Sequence, residues 1–150
     1  MKHVEKLTLI FMQALYLNII NKAAVKKISD GGATLLISVD TGITAFEETK
    51  YAKELGCDVI ITDHHECKDM LPLAVAVLDP HRPDGGYPHL NLSGVGVAFK
   101  LASAICGSQR TVLESYGDMV CLGTVADVML LTGENRVFVD RGLQALRQTQ

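Results

Sequence analysis

The chain has 150 residues, 48% of them hydrophobic and 21% charged, a balance that suits one compact, soluble domain with its own core. A formal net charge of -3 excludes a general electrostatic grip on nucleic acid, so any affinity for DNA must come from a local patch, a metal or further sequence. The cysteines Cys57, Cys67, Cys106 and Cys121 form no C-x-x-C pair and lie among apolar neighbours, as buried thiols of a reducing compartment do, and no segment approaches the roughly 20 unbroken apolar residues of a membrane span.

The start, Met1 to Ile20, has the outline of a signal peptide, with Lys2, His3 and Lys6 ahead of the apolar run Leu7 to Met12. Gln13 and Asn18 interrupt that run and no small-x-small cleavage site follows, so cytoplasm is the expected location. Asn21 to Asp30 predicts a helix closed by Gly31 and Gly32. Thr34 to Val39 is too continuously apolar for a half-exposed strand and predicts a buried parallel one that ends at Asp40. Thr44 and Glu47 have capping-box spacing and open a helix that runs through Leu55 to Gly56.

Asp58 to Thr62 predicts a second buried strand, ending in Asp63-His64-His65, and strand, helix and strand together make a βαβ unit with parallel strands. A short strand, Ala74 to Leu78, leads to Asp79-Pro80 and a loop rich in Pro, Gly and His that lasts until Leu92. The helix expected from about Gly94 is apolar almost all round and should be buried. Two more helices are expected, from about Leu113 to Ala126 and from about Glu134 to Leu146, the last with Val139, Leu143 and Leu146 on one face. The fold class is therefore α/β, a parallel Rossmann-like sheet flanked by helices.

In open parallel sheets ligands bind beyond the carboxyl ends of the strands, where Asp40 and Asp63-His64-His65 both stand. Carboxylate oxygen with neutral imidazole nitrogen suits Mn²⁺, Fe²⁺ or Zn²⁺, and a carboxylate-rich set also accepts Mg²⁺. Spacing alone leaves two readings open: these residues cap the turns after their strands, or they ligate a cation. A shared cation requires the Asp40 carboxylate and the His64 ring within about 8 Å, since direct metal bonds are about 2.0 to 2.2 Å long.

At these residues the chain resembles the DHH phosphoesterase superfamily, named for the triplet present as Asp63-His64-His65. From Gly32 to about Arg147 it is similar to the RecJ-type exonucleases, through Leu36 to Ile43, Asp58 to His65, Ser93 to Leu101 and Leu122 to Val128. The resemblance implies that Asp40 bridges two ions, Mn²⁺ or Mg²⁺, and that His64 and Asp127 complete one of them. It makes Asp63 an orienting carboxylate and sets His65 beside the scissile phosphate. Ser93, Gly94 and Gly96 open a helix whose backbone N–H groups suit an anion, though Ser93 also reads as an N-cap and the glycines as close packing. Lys100 and Arg82 are further phosphate candidates, with Lys100 equally readable as a snorkelling surface charge.

The implied activity is 5′-to-3′ hydrolysis of single-stranded DNA in repair and recombination, with a single-stranded-DNA-binding protein or a helicase as further partners. The rival readings are an oligoribonuclease, a cyclic-dinucleotide phosphodiesterase or, more remotely, a manganese pyrophosphatase of the same superfamily, and a non-catalytic interaction module. The family's Asp-x-Asp motif has no match between Met1 and Gly32, and its second domain would lie beyond Gln150. Residues 1–31 are therefore expected to be an atypical helical segment and 32–150 an incomplete DHH phosphoesterase domain, inactive alone and prone to associate through an unpaired sheet edge.

Overall fold

Short β-branched runs alternate with helix-forming segments along the chain. They give α1 (Lys22–Asp30), β1 (Leu35–Val39), α2 (Phe46–Glu54), β2 (Asp58–Thr62), β3 (Ala76–Leu78), α3 (Gly94–Cys106), α4 (Gln109–Ala126) and α5 (Gly133–Gln148) in the computed structural model, which describes residues 20–148. The strands pair in parallel in the order β1-β2-β3, so the expected α/β architecture is observed. The signal-like start lies almost wholly outside the described residues.

The register sets the layers. Leu36 stands opposite Val59, and Ile61 opposite Val77, which places these side chains on one face. Val25 of α1, Ala52 of α2 and Ile43 pack on that face and complete a core with Cys57. Each fully enclosed aliphatic side chain of this size contributes about 1.5–3 kcal/mol.

The other face of β1 departs from expectation. Leu35, Ile37 and Val39 are 47%, 40% and 51% exposed, so the described elements cover that face of β1 only in part. A continuous apolar run predicts two covered faces; among the described residues one is well covered and the other only in part.

The helices differ from the sequence reading in their caps and faces. Helix α1 is the exception: it ends at Gly31-Gly32 as expected, with Gly32 at the positive φ, and Asn21 caps its start as its side chain accepts from Ala24 N–H. The Thr44–Glu47 box is not formed: α2 starts after Ala45, and Thr44 faces solvent. The preceding loop is held instead by the Asp63 carboxylate, which accepts the Ile43 N–H at 2.8 Å and turns Ile43 inward. Helix α3 buries Gly96, Val97, Phe99 and Ser103 but leaves Ala102 and Ile105 exposed. The cysteines are all free, and Cys106 is exposed rather than buried.

Helices α3, α4 and α5 enclose a second core of Leu92, Val97, Phe99, Val112, Val120 and Phe138, which Leu78 joins to the sheet. Helix α5 buries Asn135, Phe138, Val139 and Gly142, and the expected Leu143 stays exposed. Glycine decides that rotation. A Cβ on Gly142 would lie 2.2 Å from Cys121 Cβ and 2.3 Å from the Gly117 carbonyl oxygen, so α4 and α5 cross on their glycine faces. Replacing Gly142→Ala should force the helices apart and cost about 1–3 kcal/mol. Circular dichroism melting should show a fall of several degrees; an unchanged midpoint would contradict this account of the crossing.

Candidate metal centre

Parallel pairing brings the strand ends side by side. Val39 stands opposite Thr62, and the next step is Asp40 N–H donating to the Thr62 carbonyl at 2.9 Å. Asp40 itself has φ 61, the left-handed region that Asp tolerates better than most residues. Asp127 arrives from a different layer, as the residue that ends α4.

These elements converge on His64. Its Nε2 lies 3.0 Å from Asp40 Oδ1 and 3.4 Å from Asp127 Oδ2, well inside the 8 Å limit, yet this buried nitrogen forms no well-directed hydrogen bond. A ligand atom each from Asp40, His64 and His65 also falls within 4.8 Å of the others. A buried imidazole nitrogen beside two carboxylate oxygens could hold a shared cation with them. The donor set, carboxylate and imidazole, fits Mn²⁺ and, with more water, Mg²⁺.

The electrostatics agree with that fit. Close contact with Asp40 raises the His64 pKa above its ordinary value against the opposing effect of burial, and the Asp127 charge adds to the rise. Burial likewise raises Asp127, with Asp40 adding to the rise and His64 opposing it. A divalent cation would remove the repulsion between the acids and free His64 from the need for a proton.

Asp63 is 1% exposed and does different work. Its Oδ1 accepts from His64 N–H and His65 N–H and lies 2.6 Å from His65 Nδ1, while Oδ2 accepts from Ile43 N–H. It therefore orients the His65 ring, not that of His64, and fixes the turn that follows Asp40. With Nδ1 so engaged, His65 keeps Nε2 available on a half-exposed ring.

The start of α3 presses against the acids. A Cβ on Gly94 would meet Asp40 Oδ1 at 2.0 Å, and the Gly94 N–H faces Asp127 and partly offsets the effect of its burial. The other phosphate candidates make their contacts elsewhere. Ser93 is fully buried, its hydroxyl 2.9 Å from Thr124 Oγ1 and accepting from Gly96 N–H as the N-cap. Lys100 pairs with Glu134, which also accepts from the Tyr87 hydroxyl. Arg82 makes a forked pair with Asp84 and donates to the Val77 carbonyl.

Sequence reasoning passed over Asn135, 0% exposed, and the side chain of Thr124. In sequence Asn135 follows Gly133-Glu134 at a helix start, where a polar residue reads as surface; only its burial marks it.

Comparison with known proteins agrees with the geometry. The family described as DHH family, N-terminal domain, matches residues 3–124. The chain belongs to the DHH family. It is 47% identical over 129 residues to the single-stranded-DNA-specific exonuclease RecJ of Bacillus subtilis, covering 86% of this chain and 16% of that protein. To the Escherichia coli exonuclease of the same name it is 39% identical over 132 residues, covering 77% and 22%. The crystal structure of RecJ in complex with Mn²⁺ from Thermus thermophilus matches with a TM-score of 0.69 at 33% identity, over 84% of this chain and 19% of that one. A structure of exonuclease RecJ bound to manganese matches at 0.66 and 33% identity, over 83% and 32%. This DHH chain thus spans less than a quarter of the length of these curated relatives.

Asp63 provides a test of the site's framework. Burial would raise its pKa, but the hydrogen bonds from Ile43, His65 and His64 outweigh it and hold the carboxyl below its ordinary 3.8. A depressed folded-state pKa means stability that is fully present above the ordinary range and lost as pH falls through the folded value. Asp63→Asn turns one acceptor into a donor facing donors and should cost about 1–3 kcal/mol near neutral pH. Urea unfolding at pH 7, 5 and 3 should show the gap from the parent closing below about pH 4; a gap independent of pH would refute it.

Proposed function

We propose that the chain forms part of the centre of a metal-dependent phosphoesterase that hydrolyses single-stranded DNA from the 5′ end. The observation that carries this reading is the His64 Nε2 that faces Asp40 and Asp127 without a hydrogen bond. Asp40, His64 and Asp127 would hold Mn²⁺ or Mg²⁺, with Asp40, the more exposed acid, able to bridge to a second ion. The bound metal would supply Lewis-acid stabilisation of the phosphoryl oxygens and a water of lowered pKa.

The remaining roles belong to the chain's own side chains. Asp63 holds His65 with Nδ1 as donor, which leaves Nε2 free to pass a proton or steady charge at the phosphate. The phosphate side is the start of α3, where Gly94 presents backbone and no side chain. Ser93 and Gly96 support that backbone through the cap, while Lys100 and Arg82 would reach a phosphate only by leaving Glu134 and Asp84. Single-stranded DNA is the substrate on this reading, and a single-stranded-DNA-binding protein or helicase a fitting partner. Among the described residues no helix is long and apolar enough to cross a membrane, and the free cysteines suit the cytoplasm.

Calorimetry with Mn²⁺ should find one ion bound by the 150-residue chain, with Asp40→Ala and His64→Ala abolishing the heat and His65→Ala sparing it. The same chain should release negligible mononucleotide from labelled single-stranded DNA, because the described residues offer one such cluster. Robust Mn²⁺-dependent release would overturn the one-ion reading, and binding that survives Asp40→Ala would overturn the assignment of the site. Gly94→Ala should weaken Mn²⁺ by displacing the Asp40 carboxylate, and unchanged affinity in that variant would show that the contact does not set the ligand's position.

A further inference from the structure

Asn135 is a buried amide with three backbone partners. Its Oδ1 accepts the Ser93 N–H at 3.3 Å, and its Nδ2 donates to the carbonyls of Asn91 and Leu130 at 2.5 and 3.1 Å. Asn91 and Ser93 flank Leu92 at the end of the long loop, immediately before Gly94. Leu130 lies three residues after Asp127, in the connection between α4 and α5. One carboxamide thus joins the two segments that meet the acids at His64.

A second link runs alongside it. The Ser93 hydroxyl lies 2.9 Å from Thr124 Oγ1, and Thr124 in turn donates to the Val120 carbonyl. Thr124 sits three residues before Asp127, so the last turn of α4 is tied to the start of α3 on both sides of that acid.

Backbone strain shows why such ties are needed. Among the described residues the non-glycine residues at positive φ are Asp40 and Val128, at 61° and 54°. A β-branched residue there is a genuine outlier, and strained backbone persists only where its surroundings over-determine it. Val128 directly follows Asp127 and is 88% exposed, so its own side chain does not hold it. The bond from Asn135 to Leu130 fixes the chain just beyond.

We infer that Asn135 is a positioning residue of this centre: its buried carboxamide clamps the start of α3 to the α4–α5 connection, and so holds Gly94 and Asp127 in place against Asp40. The inference rests on the proposed metal reading and adds a residue that touches none of the ligands. Partners of this kind typically change metal affinity by about 10- to 100-fold when removed.

The test compares the parent with Asn135→Leu, Thr124→Val and the packing variant Phe138→Leu, whose side chain lies in the same helix but has no polar tie to the site. Two readouts are taken: Mn²⁺ affinity by calorimetry, and amide hydrogen exchange at Ser93 and Gly94 in metal-free protein. Asn135→Leu should weaken Mn²⁺ by about 10- to 100-fold and speed exchange at both amides relative to Ile61 in the sheet; Thr124→Val should shift both in the same direction by less. Phe138→Leu should lower the melting temperature while leaving both readouts near the parent. If Asn135→Leu does not fold, Thr124→Val decides. Parent-like affinity and exchange in the folded variants would overturn the inference, as would an equal loss in Phe138→Leu. A parent that binds no Mn²⁺ would instead defeat the metal reading, and the exchange arm would still decide whether Asn135 holds Gly94.

Discussion

The parallel register of β1 and β2 is the constraint on which the centre depends. Neighbouring strands lie about 4.8 Å apart, and with Val39 opposite Thr62 the next residues in both strands are acids. Two carboxylates at that spacing repel, and the fold gives them separate work. Asp63 is turned inward and saturated by the N–H groups of Ile43, His64 and His65, so its charge is spread over donors that cost nothing to bring together. Asp40, in the left-handed conformation, leaves the strand line and meets His64 and Asp127 instead. A one-residue slip of either strand would turn its side chains to the other face and separate the two acids from these partners.

That division explains how a chain with net charge -3 can serve a polyanionic substrate on the proposed reading. The two cationic phosphate candidates, Arg82 and Lys100, are committed to Asp84 and Glu134. On that reading an ion held by the acids would bring positive charge to the phosphate, and the acids would be a source of affinity through the metal, not a barrier to it. The same logic accounts for glycine at position 94. An N–H donor with no side chain approaches the carboxylates closely and neither adds charge nor blocks the cation.

What could be read from the sequence follows from range. Asp40 and His64 were visible because each follows an apolar run long enough to be a strand, and the end of a parallel strand is where ligands bind. Asp127 stands out in the sequence only through the resemblance, since a residue at the end of a helix carries no local mark of a chemical role. The failed predictions were those that a distant contact overrides. Thr44 and Glu47 have the spacing of a cap, but Asp63, some twenty residues away in sequence, takes the Ile43 N–H and moves the helix start. Of the expected stripe Val139, Leu143 and Leu146, Val139 is buried and Leu146 half-buried, but Leu143 stays exposed while Gly142 beside it packs against Gly117 and Cys121. Leu35, Ile37 and Val39 read as fully buried because composition records an apolar strand and not how many neighbours it has. Asn135 was silent for the same reason: its partners lie more than forty residues away at Asn91 and Ser93.

The centre lies on the seam between two cores, one made by the sheet with α1 and α2 and the other by α3, α4 and α5. Hydrophobic packing is non-directional, so neither core by itself can fix the separation of Asp40 and Asp127 to the few tenths of an ångström that the proposed metal site would require. Directional contacts must do that, and they are found on both sides of the seam. Asp63 fastens the turn after Asp40 to the sheet, and Asn135 with Thr124 fastens the start of α3 to the end of α4. Each is almost fully enclosed, where a hydrogen bond has no competing water and an unmade one is costly. Burying such polar groups stabilises the fold little compared with aliphatic packing, but it makes the alternative arrangements of the seam expensive. The strained backbone at Asp40 and at Val128, the exposed turn residue next to Asp127, lies between these fastenings, so both outliers stand beside the acids.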